Sequence, residues 1–213
     1  SSVSMMLGDG AGGFGPKTEF PTGNNTGGVA IGDLNGDGKP DLSVSNYDDW
    51  TVSVLLGNGV GGFGAKTDFP TGAYPTEAAI ADISGDGKPD LVVGNQGGSS
   101  VSVLLGNGAG GFGAKTDFAT GTNPWSMSVG DVNRDGKPDV VTANDQVVGT
   151  VTVLLCDGVG GVGAKTDFAT GSYPTSVAIG DANGDRNSDL AVANSGDNTV
   201  SVLLGDGVGG FGA

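Results

Sequence analysis

The chain contains no histidine and only one cysteine, and these shortages exclude several common catalytic arrangements. Without an imidazole, neither a Ser-His-Asp nor a Cys-His arrangement can form. Cys156 has no second cysteine for an internal disulfide and no histidine to activate its thiol. We therefore expect a spectator thiol and a protein that is not an enzyme.

Basic residues and long apolar runs are also scarce. Nine lysines and arginines stand against 24 aspartates and glutamates, which gives a net charge of −15. This balance disfavours nucleic acid and anionic membranes as partners. No apolar run approaches the ~20 residues of a membrane helix, so membrane insertion is not expected. No segment keeps a helical period over a useful length.

Glycine is abundant, at 44 of 213 residues, and its spacing follows an internal repeat. Residues 52–72 match residues 101–121 at all but two positions. Equivalent aspartates recur after 49, 49 and 50 residues, at Asp33, Asp82, Asp131 and Asp181. A period of this length is typical of a repeat architecture.

Each repeat predicts four short strands. The first is small and apolar (residues 29–32), and an Asp-rich loop joins it to a second strand (such as 91–94). The third (101–105) and the fourth (114–119) are joined by a Gly-rich turn. Short strands with frequent turn signals indicate an all-β fold, and four strands in about 49 residues are typical of a β-propeller blade. The small residues of the first strand favour an innermost position.

We predict one repeat domain with about four blades. Residues 1–23 form a half-blade, residues 24–72, 73–121 and 122–171 form full blades, and residues 172–213 form a partial blade. The incomplete ends leave three arrangements open. These are a closed four-bladed ring, an eight-bladed ring in which a homodimer shares its half-blades, and an excerpt of a longer array.

The Asp-rich loops predict calcium sites. In the first loop, residues 33–41, oxygen-bearing side chains occupy positions 1, 3, 5 and 9, and Gly38 at position 6 permits a sharp turn. Clustered carboxylates repel one another, and calcium, which accepts six to eight oxygens, relieves that repulsion. The alternative is that Asp, Asn and Gly simply form turns. A bare turn, however, does not need an oxygen at all four positions.

The predicted ligands recur in all four loops, with position 7 contributing its backbone carbonyl. They are Asp33, Asn35, Asp37, Lys39 and Asp41; Asp82, Ser84, Asp86, Lys88 and Asp90; Asp131, Asn133, Asp135, Lys137 and Asp139; and Asp181, Asn183, Asp185, Asn187 and Asp189. We expect up to four calcium ions per chain. The fourth loop should bind most weakly, because Arg186 replaces glycine at position 6. If that position needs a positive φ, the arginine costs of order 1 kcal/mol.

The Asp-rich loop after Val-Ala-Ile-Gly, followed by Ser-Val-Leu-Leu-Gly-Asn-Gly and Gly-Gly-Phe-Gly, resembles the FG-GAP and VCBS repeat family. The resemblance covers essentially the whole chain. It implies propeller blades whose loop between the first two strands binds calcium, as in integrin α-subunit propellers. The family's metal positions fall on the loop positions given above, and Arg186 departs from the family pattern.

These observations predict a calcium-binding β-propeller that serves as an extracellular or cell-surface scaffold for binding or adhesion. Weak calcium sites, with dissociation constants of about 10⁻⁴–10⁻³ M, would not fill in the cytosol. No signal peptide is visible, so a secreted protein would be represented here in mature or trimmed form. The alternatives are a lectin-like, carbohydrate-binding propeller and, less favoured, a catalytic module of a polysaccharide-active protein.

Four aromatic residues are candidates for ligand contacts. Exposed aromatic rings can stack on sugars or anchor protein partners. The alternative is that these rings cover the seams between blades. The candidates are Trp50, Tyr74, Trp125 and Tyr173.

Overall fold

A computed structural model describes residues 1–212, and every regular element in that range is a β-strand. The strands form five separate antiparallel sheets. The prediction of an all-β fold built from four-stranded units of about 49 residues is confirmed. No helix in this part of the chain is long and apolar enough to cross a membrane.

One half sheet precedes four sheets of four strands, and within each sheet strands that follow one another in the chain are hydrogen-bonded neighbours. In the last of these sheets the fourth strand pairs only two residues, Phe211 and Gly212. The half sheet holds β1 (Ser2–Met5) and β2 (Thr18–Pro21). Sheet 1 holds β3 (Thr26–Gly32), β4 (Asp41–Asn46), β5 (Thr51–Leu55) and β6 (Thr67–Pro70). Sheet 2 holds β7 (Pro75–Ala81), β8 (Asp90–Asn95), β9 (Ser100–Leu104) and β10 (Thr116–Ala119). Sheet 3 holds β11 (Pro124–Gly130), β12 (Asp139–Asn144), β13 (Thr150–Leu154) and β14 (Thr166–Ala169). Sheet 4 holds β15 (Pro174–Gly180), β16 (Asp189–Asn194), β17 (Thr199–Gly205) and β18 (Phe211–Gly212).

The ends of two kinds of strand differ from the prediction. The first strand of each sheet begins three residues earlier than its apolar core, because an irregular step in register lets the preceding residues pair as well. The fourth strand of sheet 2 begins at Thr116 rather than at residue 114. Just before it, the Gly113 amide donates to the Leu105 carbonyl, which keeps this segment in the Gly-rich turn.

The first strands are innermost, as predicted. β3 packs against β7, β7 against β11, and β11 against β15. Glycine permits the closest of these approaches. A Cβ atom added to Gly28 would lie 2.9 Å from the Cα atom of Glu77 on the next sheet. The small residues of the first strands therefore bring the sheets together around a common axis.

The core consists of seams between successive sheets. In each seam, the face of one sheet that points toward the next sheet in the chain (its front face) packs on the opposite, back face of that next sheet. In the third seam, Val151 and Val153 of sheet 3 share a cluster with Leu190 and Val192 of sheet 4. Because the inner sheets are covered on both faces, every residue of β8 and β9 is buried. Burial on both faces includes polar residues such as Asn95 and Ser102, which hydrogen-bond to each other.

Both ends of the stack of sheets are uncovered. On the front of sheet 4, Val200 is 65% exposed, whereas the equivalent Val151 is fully buried. At the other end, the half sheet covers Leu42 and Val44 but leaves Val29 and Ile31 exposed. The described residues therefore form an open arc of blades. The closed four-bladed ring considered from the sequence does not form.

The seam packing predicts unequal costs for the same substitution at equivalent positions. Val151→Ala should lower the free energy of unfolding by about 1.5–3 kcal/mol, because it leaves a cavity in a filled seam. The matched control Val200→Ala should change it by less than about 0.5 kcal/mol, because that side chain is exposed. Urea unfolding measures both values. Equal costs would contradict the open front face of sheet 4.

Candidate functional site

Each Asp-rich loop folds around the carboxylate at its first position. In loop 1, Asp33 Oδ1 accepts hydrogen bonds from the Gly36 and Asp37 amides at 2.8 and 3.2 Å. Its Oδ2 accepts from the Gly38 amide at 2.7 Å. The bond to Oδ2 from the amide at position 6 is repeated by Gly87, Gly136 and Arg186 in the other loops. The carboxylate thus neutralises the partial positive charge of several inward-pointing amides.

The oxygens at positions 1 and 3 lie on the same side of the loop. The Asp37 amide contacts both Asp33 Oδ1, at 3.2 Å, and Asn35 Oδ1, at 3.0 Å. Loops 3 and 4 show the same shared amide. In loop 2, the Ser84 hydroxyl lies 3.4 Å from Asp82 Oδ1. The fold therefore brings together the first two predicted side-chain ligands in every loop.

The carboxylate at position 5 has a lysine as its counter-ion in three loops. Nζ of Lys39 lies 3.0 Å from Asp37, and Lys88 lies 2.8 Å from Asp86. These side-chain hydrogen bonds lower the pKa of both carboxyl groups. An exposed ion pair of this kind contributes little to stability, because water and salt screen it. A divalent cation could therefore displace the lysine from these oxygens at small cost.

The aspartate at position 9 has a structural role that the sequence analysis missed. Asp41 is fully buried; its Oδ2 accepts from the Leu34 amide at 2.8 Å and its Oδ1 from the Gly57 amide at 2.7 Å. The same two bonds recur at Asp90, Asp139 and Asp189. Among residues 1–212, no three acidic or cysteine side chains converge closely enough to hold a metal ion. Ligation by position 9, and by the carbonyl at position 7, remains a prediction.

Position 2 of each loop links the loop to the next seam. Leu34, Ile83 and Val132 are buried in the three core clusters between successive sheets. In addition, the Gly110 amide of sheet 2 donates to the Leu34 carbonyl of loop 1 at 3.1 Å. The loops are therefore part of the packing between blades and do more than connect two strands.

Positions 4 and 6 both need a positive φ angle. At position 6, Gly38, Gly87 and Gly136 have φ between 77° and 82°, and Arg186 is held at 73°. Position 6 therefore does need a positive φ, and the strain expected for Arg186 in loop 4 under that condition is present. Loop 3 carries an equivalent strain that the sequence analysis did not foresee, because Arg134 occupies position 4 with φ of 63°. Its guanidinium reaches loop 4 and donates to Asn187 Oδ1 at 3.3 Å.

Relief of this strain should stabilise the protein. Arg186→Gly should raise the free energy of unfolding by about 1 kcal/mol, because glycine adopts a positive φ without steric cost. Arg186→Ala removes the same side chain but keeps the strained Cβ, and it should give no such gain. Chemical denaturation without calcium compares the two variants. An equal gain in both would attribute the effect to the lost side chain.

The candidate ligand-binding aromatics do not form one site. Trp50 and Tyr74 pack edge to face with ring centroids 5.7 Å apart, and Tyr74 also stacks on Tyr47 at 4.9 Å. These rings bridge sheets 1 and 2, and Trp50 also lines a second cavity of about 510 Å³. A ligand contact by this pair remains a prediction. Tyr173 is 42% exposed on sheet 4. Trp125, by contrast, projects from an innermost strand.

Trp125 lines a cavity of about 490 Å³ at the axis of the arc, which we call the axial cavity. Two consecutive residues near the start of each first strand form its walls. They are Gly27 and Gly28, Thr76 and Glu77, Trp125 and Ser126, and Thr175 and Ser176, with Asn25, Thr26 and Tyr47 completing the lining. The Asp-rich loops follow the opposite ends of the same strands. The cavity and the loops therefore lie at different ends of the stack.

The repeated four-stranded sheets, the innermost first strands and the Asp-rich loops define a protein of the β-propeller class. The sequence profile of the FG-GAP-like repeat matches four overlapping segments, residues 1–44, 33–93, 82–142 and 131–192. The chain belongs to the FG-GAP-like repeat family. No curated protein matches it.

Solved structures with low sequence identity share the fold. A functionally unknown protein from Desulfotomaculum acetoxidans is 18% identical with a TM-score of 0.72, and the match covers 99% of this chain and 64% of that one. A candidate 6-phosphogluconolactonase from Bacteroides uniformis is 14% identical with a TM-score of 0.74, covering 99% and 63%. The chain thus spans just under two thirds of each structure. At these identities the likeness concerns the fold alone.

Proposed function

We propose that this protein is a non-catalytic binding scaffold whose blades are fixed by calcium in the Asp-rich loops. The observation that carries the proposal is that each loop directs side-chain oxygens from positions 1 and 3 to one side while its position 2 contributes to the seam between blades in loops 1 to 3. An ion at such a loop would act on the packing of neighbouring blades.

The donor set fits calcium. Carboxylate, carboxamide and hydroxyl oxygens are hard ligands, and the chain offers no histidine to compete for softer metals. Each carboxylate retains acceptor capacity beyond the amide bonds described above, since two oxygens offer about four lone-pair sites. Bound calcium would supply positive charge that lets the aspartates of one loop stay close together.

Location and alternative functions follow from the same chemistry. Weak calcium sites fill outside the cell, which supports an extracellular or surface location for the scaffold. A lectin-like function is the second candidate, and it is favoured by the exposed ring of Trp125 in the axial cavity. A role in polysaccharide catalysis has less support, because Glu77 is the only ionisable carboxyl group that lines this cavity.

Cys156 provides a direct test of calcium-dependent packing. The thiol is 3% exposed in the seam between sheets 2 and 3, in the same cluster as Ile83 of loop 2. Burial, reinforced by the Asp139 charge, raises its pKa to about 12. A thiol reagent can therefore react only when the seam opens. We expect calcium to slow this labelling by at least about ten-fold relative to the chelated protein.

Matched variants make the thiol test specific. Asp82→Ala in loop 2 should abolish the protection, because that loop places Ile83 in the seam. Asp181→Ala in loop 4 should leave it intact, because Ala182 at position 2 is exposed. Calcium should also raise the melting temperature of the unmodified chain. Labelling and melting that are both insensitive to millimolar calcium would refute the proposal.

A further inference from the structure

We propose that the axial cavity is a binding site for a neutral saccharide, with Trp125 as the stacking platform and Glu77 as the hydrogen-bond acceptor. This inference builds on the proposed scaffold function, because the stacked blades form the walls of the cavity. It assigns the scaffold a particular site and a ligand class, neither of which is given by the Asp-rich loops.

The repeats differ from one another at the cavity, whereas one other long stretch is nearly identical in two of them. Residues 52–72 and 101–121 differ at two positions, yet the two wall positions carry glycine, threonine, glutamate, tryptophan and serine in different sheets. Close packing on sheet 2 accounts for Gly27 and Gly28. It does not account for Trp125, whose side chain is largely exposed. Each wall therefore offers its own chemistry, as the recognition of an asymmetric small molecule demands.

The charges of the cavity exclude an anionic ligand. No lysine or arginine lines it, and its one charged side chain is that of Glu77. Glu77 Oε2 accepts a hydrogen bond from the Met127 amide at 2.6 Å, which fixes the carboxylate between sheets 2 and 3. The other oxygen, Oε1, remains able to accept from a ligand hydroxyl. A phosphate, sulfate or carboxylate would instead meet uncompensated repulsion.

The polar lining favours hydroxyl groups over a cationic ligand. Hydroxyls on Ser126, Thr175 and Ser176 can both donate and accept, as sugar hydroxyls can. A cation site would gain most from several aromatic faces. Here, however, the second aromatic residue is Tyr47, whose ring stacks on Tyr74 and whose hydroxyl donates to Gln96 at 2.6 Å. Trp125 therefore acts as one flat surface, which suits the apolar face of a pyranose.

The size and exposure of the site agree with this ligand class. A volume of about 490 Å³ lies within the range of roughly 300–1,000 Å³ found for small-molecule sites. Trp125 is 46% exposed, and among the described residues its ring forms no aromatic pair. A sugar ring can stack on the indole without moving another aromatic side chain.

The test uses the full chain in calcium and an array that carries neutral, sialylated and sulfated oligosaccharides. We expect binding of neutral glycans only, followed by calorimetry with the neutral oligosaccharide that gives the strongest signal. Trp125→Ala should weaken that binding by at least ten-fold, and Glu77→Gln, which keeps an acceptor for the Met127 amide, by several-fold. The control Trp50→Ala removes an equally exposed indole outside the cavity and should leave the affinity unchanged.

Several outcomes would overturn the proposal. They are the absence of neutral-glycan binding at millimolar concentrations, unchanged affinity in Trp125→Ala, and a preference for acidic glycans. Thiol labelling of the same variants with and without calcium separates the two proposals. Trp125→Ala should lose glycan binding but keep its calcium-dependent protection of Cys156. An unmodified chain that shows this protection but binds no neutral glycan would reject the sugar site alone.

Discussion

The buried carboxylate at position 9 holds each blade together at the point where three segments meet. Asp41 joins the start of the Asp-rich loop to the Gly-rich turn by accepting one backbone amide from each. A buried carboxylate is tolerated only when its oxygens are paired. Burial is nevertheless costly enough to raise the pKa of Asp139, the equivalent residue of sheet 3. The strands can pack closely because these bonds fix the loop and the turn beside them.

This bond also explains how an exposed loop influences the core. The amide that Asp41 anchors belongs to Leu34, whose side chain is buried in the seam with sheet 2. Leu34 directly follows Asp33, whose carboxylate faces the loop. A change at that carboxylate, such as the binding of an ion, therefore occurs one residue away from a side chain that packs on the next blade. In sheet 4 the equivalent residue, Ala182, is small and exposed. Loop 4 thus combines the strained Arg186 with the weakest connection to a seam.

The stack separates its two candidate functions in space. The first strands begin at the axial cavity and end at the Asp-rich loops, so one set of short strands positions both. The four-stranded frame recurs in every sheet, whereas the two wall positions of the cavity carry a different pair of residues in each sheet. Such a division is typical of repeat scaffolds, in which a constant frame presents a variable surface.

The sequence by itself determined the repeat, the all-β class, the strand order and the glycine requirement at position 6, because strand patterns and turn geometry depend on neighbouring residues. It did not reveal the buried bonds of Asp41, since the Gly57 amide is distant in the chain and approaches only when β4 and β5 pair. The strain at Arg134 was missed although the sequence carried its signal, since position 4 is glycine in the other three loops just as position 6 is glycine in three of four. Only the tertiary structure decided that Trp125 lies in the axial cavity, whereas Trp50 packs on Tyr74 and lines a second cavity. From the sequence, both residues are predicted to be exposed aromatics. Their surroundings differ because different neighbouring sheets lie beside each ring.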